Sequence, residues 1–518
     1  MGRTDLVSPC NSSWYDTSIS YSTTTSNEGF SYLSAGYLKQ TVTKGNYEKI
    51  TYFDGLLRPI VSRERDKSIS SSKRYTRQGY DAFNRLTYQS KPHSLHSTPY
   101  GVVNQYDGLG RLIRADDNTT SGSISYSYLS NNRVQVNDNE GNTTTTSFLA
   151  YGSPEQSVAT QISAPHGVIT TLNYNIYGNL TSINQGGLTE YRVYDTYQQL
   201  CKTVRNDIGR SAYVYDAIGQ LSWTASGDSV STSTTSCDSN VYNSEKTTLS
   251  YDNLGNVRKV EYGDGTSSKL FTYDKNSNLK ELVHGDVTQN YNYNDLNLLT
   301  SERLRLDSVD WTVSYAYDDY GNKLNVRYPG GGRLWYNPNA LGQPKNVGSF
   351  ASNISFHANG QYKSIKLKNG CINSLSLYNS GLPKVQRSAC GSNNIVYNQY
   401  TYDANGNITY WDDKQSNTYD LRFTYDGLDR LDNIRNGSNS LIGDLNYDTM
   451  GNITKLDSIA GTINYAYNSS KQLQSTSGMR GYDFSYDDRG NVTNNGFNSL
   501  TYNLANEMVN ANGNSYVY

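Results

Sequence analysis

The chain has 518 residues with 45 basic and 47 acidic side chains, a net charge of -2, 48 Tyr and 44 Gly. That balance excludes a broad cationic face for nucleic acid, which needs clustered Lys or Arg against phosphate; the densest basic stretch, Arg63 to Arg77, is broken by Glu64 and Asp66 and reads as a solvated strand face or loop. No apolar run approaches the roughly 18 residues of a membrane helix, and the modest charge with abundant aromatics is not the composition of a disordered chain.

In chain order, residues 1–45 contain SSWYDTSISYSTTTSNEG without a complete repeat and are expected to form an N-terminal cap or degenerate repeats. The opening Met1-Gly2-Arg3-Thr4-Asp5 lacks the apolar stretch of a secretory signal. From 46 to 344 a unit recurs, Tyr-Asp-x-x-Gly-[Asn/Arg]-[Leu/Ile/Val], with Tyr as position 1. Copies read YDGLGRL from Tyr106, YDAIGQL from Tyr215 and YDNLGNV from Tyr251, with variants such as YDAFNRL from Tyr80 and YNIYGNL from Tyr174. Residues 226–241 interrupt it with the tract SGDSVSTSTTS, a long turn or insertion. Residues 345–395, rich in Asn, Ser and Lys, are expected to be an irregular repeat, insertion or plug. The unit returns over 396–518 as YDANGNI from Tyr402, YDGLDRL from Tyr425, YDTMGNI from Tyr447 and YDDRGNV from Tyr486, in the same continuous fold. Neighbouring copies at 251, 273, 293 and 317 lie 20 to 24 residues apart, the period of a supersecondary unit.

The residues before each Tyr alternate. Trp311, Val313, Tyr315 and Tyr317 share one parity, as do Ile463, Tyr465 and Tyr467; a period of two places them on one face of a strand. After the Tyr, the Asp carboxylate accepts a backbone N–H about two residues on, and Gly at position 5 takes positive φ at little cost. Asn84 and Asp429, which replace that Gly, are the side chains that tolerate this conformation best. The apolar residue at position 7 returns the chain to the same surface. Each repeat therefore reads as strand, tight turn, strand, and the fold class is all-β: a large antiparallel sheet of tandem hairpins. About 40 strands at about 4.8 Å would make a flat sheet nearly 200 Å wide, which twist and exposed edges disfavour. The sheet is expected to coil, with water on one side and room for an enclosed cavity; a filled double-layer sandwich split into several domains is the competing arrangement.

These units resemble the YD repeats of the Rhs family, including the shell-forming parts of insecticidal Tc toxin complexes and the teneurins, over most of residues 50–510. The resemblance implies a spiral β-sheet wall around a hollow, used to enclose a toxic C-terminal domain, and a secreted, surface or injected polypeptide. It implies as partners a cargo or toxin polypeptide or a second shell component. The Asp-Pro-x-Gly plug motif of such shells is absent, so no toxin domain is assigned.

The alternatives are an extracellular polysaccharide lyase, working by Tyr and His β-elimination with a cation against the uronate, and a carbohydrate-binding or adhesion protein whose aromatics stack on sugars. The first bases to consider are His166, His284 and His357, but no catalytic constellation is defined. Most Asp residues belong to the turns, so their number is not evidence of paired-carboxylate chemistry. His93 and His96 lack a recognisable third ligand, and no metal or other cofactor is expected. The Cys residues, at 10, 201, 237, 371 and 390, form no CxxC pair; Cys371 and Cys390 are a candidate bridge that spacing cannot assign.

Overall fold

The structure, a computed structural model, describes residues 4–9, 14–30, 33–94, 100–120, 122–149, 157–238 and 240–517. Among these residues there is no α-helix. Strands from Leu6–Val7 to Arg333–Trp335 form one 28-stranded antiparallel sheet, and those from Ala351–Phe356 to Tyr482–Asp483 form a second sheet of 13. Within each sheet every strand pairs with its neighbours in sequence, a continuous meander. The sheets part at residues 336–350, where the bridges Pro338↔Pro344 and Val347↔Ala351 replace regular pairing.

The repeat explains the meander. In the copy at Tyr251, the strands Lys246–Tyr251 and Val257–Tyr262 flank the turn. Asp252 Oδ1 accepts the N–H groups of Leu254 and Asn256, each at 2.9 Å, while the Gly255 N–H returns to the Asp252 carbonyl at 3.1 Å. Gly255 sits at φ 84°, and the replacements Asn84 and Asp429 sit at 66° and 58°. The register shifts between Ser250 and Tyr251, so that Tyr251 opposes Val257. The same bulge recurs at Tyr194, Tyr273, Tyr317, Tyr402, Tyr425 and Tyr447. One bulge per repeat on the same edge bends each hairpin and increases its twist in the same sense, which coils the sheet.

Consecutive repeats are laced together by the phenols. Tyr215, Tyr273, Tyr293 and Tyr447 donate to the carbonyls of Leu200, Val257, Leu279 and Leu431, the position-7 residues of the preceding repeats, at 2.8 to 2.9 Å. Position 6 completes the lacing on the turn side. Arg85 binds the Asp81 carboxylate of its own turn and the Asp107 carbonyl of the next, and its guanidinium lies over Tyr106 at 4.9 Å. Where position 6 is Asn, as at Asn278 and Asn407, the side chain bonds position 5 of the next turn, Asn297 and Asp429.

The wall is one layer thick over most of its course. Its accessible surface is 28526 Å² for 57.8 kDa, where a compact protein of that mass exposes about 19,000 Å². Two clusters of buried apolar residues mark where the chain folds back over the sheet. Phe30 and Leu33 cover Ile50, Tyr52, Val61 and Tyr75, and the interrupting segment brings Val230 and Val241 onto Ala212 and Ala225. The latter segment is tethered by a Cys201–Cys237 disulfide and by buried Lys202, whose Nζ meets Ser231 and Asp238. A second disulfide joins Cys371 to Cys390. Cys10 lies outside the described residues.

Candidate functional site: the seam between successive coils

The coil brings turns that are 238 to 276 residues apart into contact. Position 3 of the Tyr-Asp turn has no role in its own hairpin, because the Asp carboxylate accepts from positions 4 and 6. At four turns of the second revolution that N–H group crosses the seam. Ala404 donates to Glu140 at 2.6 Å, Gly427 to His166 Nε2 at 3.0 Å, Leu504 to Asp264 at 2.6 Å and Ala340, in the related turn at Asn339, to buried Asp66 at 2.8 Å. The acceptors all lie on the edge of the first revolution opposite its Tyr-Asp turns.

Position 4 supplies the packing. Tyr320 lies edge-on to Tyr15 with centroids 4.9 Å apart, its hydroxyl accepts the Asn46 N–H at 2.7 Å, and Lys44 bonds its carbonyl. Gly45 makes room, since a Cβ there would stand 2.7 Å from the Tyr320 hydroxyl. Met450 uses Gly186 in the same way, with 2.6 Å between such a Cβ and the Met450 Cγ. The Lys269–Glu507 ion pair and the bond from Gln472 to the Asp207 carbonyl extend the seam along the coil.

The seam carboxylates are tuned by their donors. Burial pushes Asp66 up, but the Ala340 N–H and Ser68 more than offset it and hold the group below its ordinary range. At Asp138, burial is likewise outweighed by hydrogen bonds from Asn405 and Asn142. Asp488 shifts upward, through burial and then through the nearby Asp228 carboxylate. A cavity of about 570 Å³ opens here, lined by Arg205, Arg210, Gln472, Tyr486 and Asp488, and another of about 460 Å³ lies between Ser70–Arg74 and Lys345–Lys363.

The residues considered from sequence are dispersed. His166 is a seam acceptor held at φ 57°, His284 is buried at the end of strand Leu279–His284, and His357 Nε2 meets the Leu375 carbonyl at 2.7 Å. Among the described residues none of these rings hydrogen-bonds a tyrosine hydroxyl, so the structure does not assemble the lyase constellation. His93 stacks on Tyr75, and His96 lies outside the described residues. Within the basic stretch, Arg63 and Arg65 pair with Glu48, and Arg74 pairs with Glu64. Sequence reasoning missed Glu140, Asp264 and Gly45; acids and glycines on the turns opposite the Tyr-Asp edge were the available signal.

No family model matches the chain, and no curated protein does. Solved structures do match, in fold. A component of the Photorhabdus luminescens Tc holotoxin pore superposes with a TM-score of 0.71 at 13% identity, covering 95% of this chain and 29% of that one. The complex of TcdB2 with TccC3 gives 0.73 at 13% identity, over 95% of this chain and 30% of that one. A TcdB2–TccC3–Cdc42 structure gives 0.66 with the same identity, covering 95% and 29%. This chain thus spans less than a third of the length of those chains and shares with them the coiled β-sheet shell fold.

Proposed function

We propose that the chain is structural: part of a shell wall that encloses or presents a cargo or partner polypeptide. The observation that carries this is the accessible surface of 28526 Å² on 518 residues, the signature of a single-layer wall rather than a filled domain. The phenol lacing and the seam stiffen that wall along and across the coil, as confinement requires. The solved neighbours belong to a holotoxin pore and to complexes of TcdB2 with TccC3, one described as lacking a hypervariable C-terminal region; assembly of this chain with a toxin-like cargo or second shell component extends from that likeness. A secreted or surface location fits the two disulfides, which persist in oxidising compartments.

Small-angle scattering tests the wall. A compact chain of this length has a radius of gyration of about 24 Å. A larger value, with a pair-distance distribution showing a solvent-filled interior, is expected. A compact particle near 24 Å would overturn the enclosure reading.

A further inference from the structure

The turn edge that docks the second revolution onto the first is also present, uncovered, along the first revolution itself. There position 4 is large and apolar and stands in solvent: Phe83 is 78% exposed, Leu109 79%, Tyr197 84% and Ile218 80%, with Ile176 at position 3 at 90%. The equivalent residues of the second revolution, Tyr320, Leu428 and Met450, are half-buried against the seam. The position-3 N–H groups show the same contrast. Those of Ala340, Ala404, Gly427 and Leu504 have seam acceptors, though those of Asp319, Thr449 and Asp488 do not, whereas among the described residues no hydrogen bond engages those of Ala82, Gly108, Ala217 and Asn253. A Cβ built on Gly108 would meet nothing within 4 Å. The rim therefore carries a row of outward donors, each beside an apolar side chain.

We propose that this rim is a docking surface for another coiled β-sheet polypeptide whose turn tips carry carboxylates. The inference deepens the wall reading by naming the partner that continues the wall. Its chemistry follows from the internal seam, where the same donors meet Asp66, Glu140 and Asp264 and the apolar residues lie over glycines. A second copy of this chain is a poor match. The opposite edge of its second revolution carries acids at one turn, 414–420, entered by Asp413 and closed by buried Asp420, while its turns at 369–370, 391–392, 437–439, 459–460 and 479–480 contain neither Asp nor Glu. The occupant is thus a different sheet, with an acidic, glycine-containing edge.

The probe is a backbone-cyclised hairpin peptide of the sequence Val136–Thr144, the carboxylate turn that meets Ala404 and Asn405 inside the molecule. It is titrated to millimolar concentration into the full chain carrying labelled Ile and Leu methyl groups. Shifts are expected at Ile176 and Ile218, at Leu109 and at Leu254, and are expected to vanish both with a hairpin whose Asp and Glu are Asn and Gln and in the Ile176→Asp/Ile218→Asp chain. Those side chains are solvent-exposed, so the double variant folds. Unchanged rim methyls at millimolar peptide, or shifts confined to other regions, would overturn the proposal. Sedimentation velocity is expected to show a monomer at all concentrations; head-to-tail growth abolished by Ile218→Asp would name a second copy as the occupant and overturn the acidic partner. A compact particle in scattering with shifted rim methyls would remove enclosure and leave the docking surface, while a hollow coil with silent methyls would do the reverse.

Discussion

The hydroxyl of Tyr251 donates a 2.9 Å hydrogen bond to the carbonyl of Leu221, thirty residues earlier, across the whole interrupting segment. Burial and then the nearby Asp216 carboxylate hold the Tyr251 phenol above its ordinary value, so it remains a donor through the physiological range. Tyr251→Phe keeps the ring and removes the donor of this partly buried bond. The expected loss is about 0.5–1.5 kcal/mol in urea unfolding. Tyr197→Phe, at an exposed rim position, is expected to stay within about 0.5 kcal/mol of the parent. Equal effects for the pair would show that the lacing adds nothing to stability.

Position 5 of the turn isolates a backbone effect. Gly406 stands at φ 96°, and a Cβ added there would meet Leu382 at an ordinary 3.7 Å. Space is therefore not the obstacle; the left-handed conformation is. Gly406→Val is expected to cost about 1–3 kcal/mol, Gly406→Asn distinctly less because Asn84 already occupies the same turn position. Ser376→Val, on an exposed strand position, serves as the comparison. Matching thermal midpoints for Gly406→Val and Ser376→Val would reject the conformational argument.

The strand-turn-strand unit was legible because all its determinants lie within seven residues, from Tyr251 to Val257. Even the substitutes Asn84 and Asp429 could be read from their known tolerance of positive φ. The lacing was not, since the phenol's acceptor is a backbone carbonyl, which no side chain advertises, and its separation varies from 13 residues at Tyr486 to 30 at Tyr251. The seam was hidden for a different reason. Which acid meets which turn depends on the pitch of the coil, a property summed over more than 200 residues, so His166 looked like a candidate base when its partner is the Gly427 N–H. Cys237 sat in a Ser/Thr tract with nothing to mark Cys201 as its mate.

Acid should loosen the turns together. Asp252 and Asp274 are held below the usual carboxylate range, first by the side-chain amides of Asn256 and Asn278, which outweigh desolvation, and then by backbone N–H groups. A carboxylate whose folded pKa is depressed stabilises the fold above its unfolded value of about 3.9, and that contribution is lost as pH falls through the folded value. The urea midpoint is expected to be flat from pH 7 to about 5 and to fall steeply below about pH 4. Asp252→Asn should reduce that slope, because the amide oxygen accepts the same N–H groups without titrating, as Asn175 and Asn294 do in their own turns. A variant with the parent's full acid slope would locate the effect elsewhere.

The seam can be probed one contact at a time. Tyr320→Ala removes the acceptor of the Asn46 N–H and the ring packed on Tyr15. Hydrogen exchange of the Asn46 amide is expected to accelerate by about tenfold or more, the equivalent of about one hydrogen bond's contribution to local opening. Amides in the hairpin at Tyr251 should be unaffected. Protection of Asn46 unchanged by the substitution would mean that Lys44 and Gly45 hold the revolutions together without the aromatic contact.

The Cys201–Cys237 bond closes a separation of 36 residues, and constraining a loop of that length in the unfolded chain stabilises the fold by about 3–4 kcal/mol. Its structural effect is local: it fastens Val230 and Val241 over Ala212 and Ala225, beside Trp223. Cys237→Ser is therefore expected to lower the urea midpoint and to shift Trp223 emission to the red while far-ultraviolet dichroism keeps the sheet signal. Cys371→Ser, in the other sheet, should leave Trp223 unchanged, which separates loss of this clasp from a general loss of oxidation. If Cys237→Ser retains the parent's emission, the ion pair of Lys202 with Asp238 and the apolar contacts hold the flap down by themselves, and the disulfide acts only on the unfolded chain.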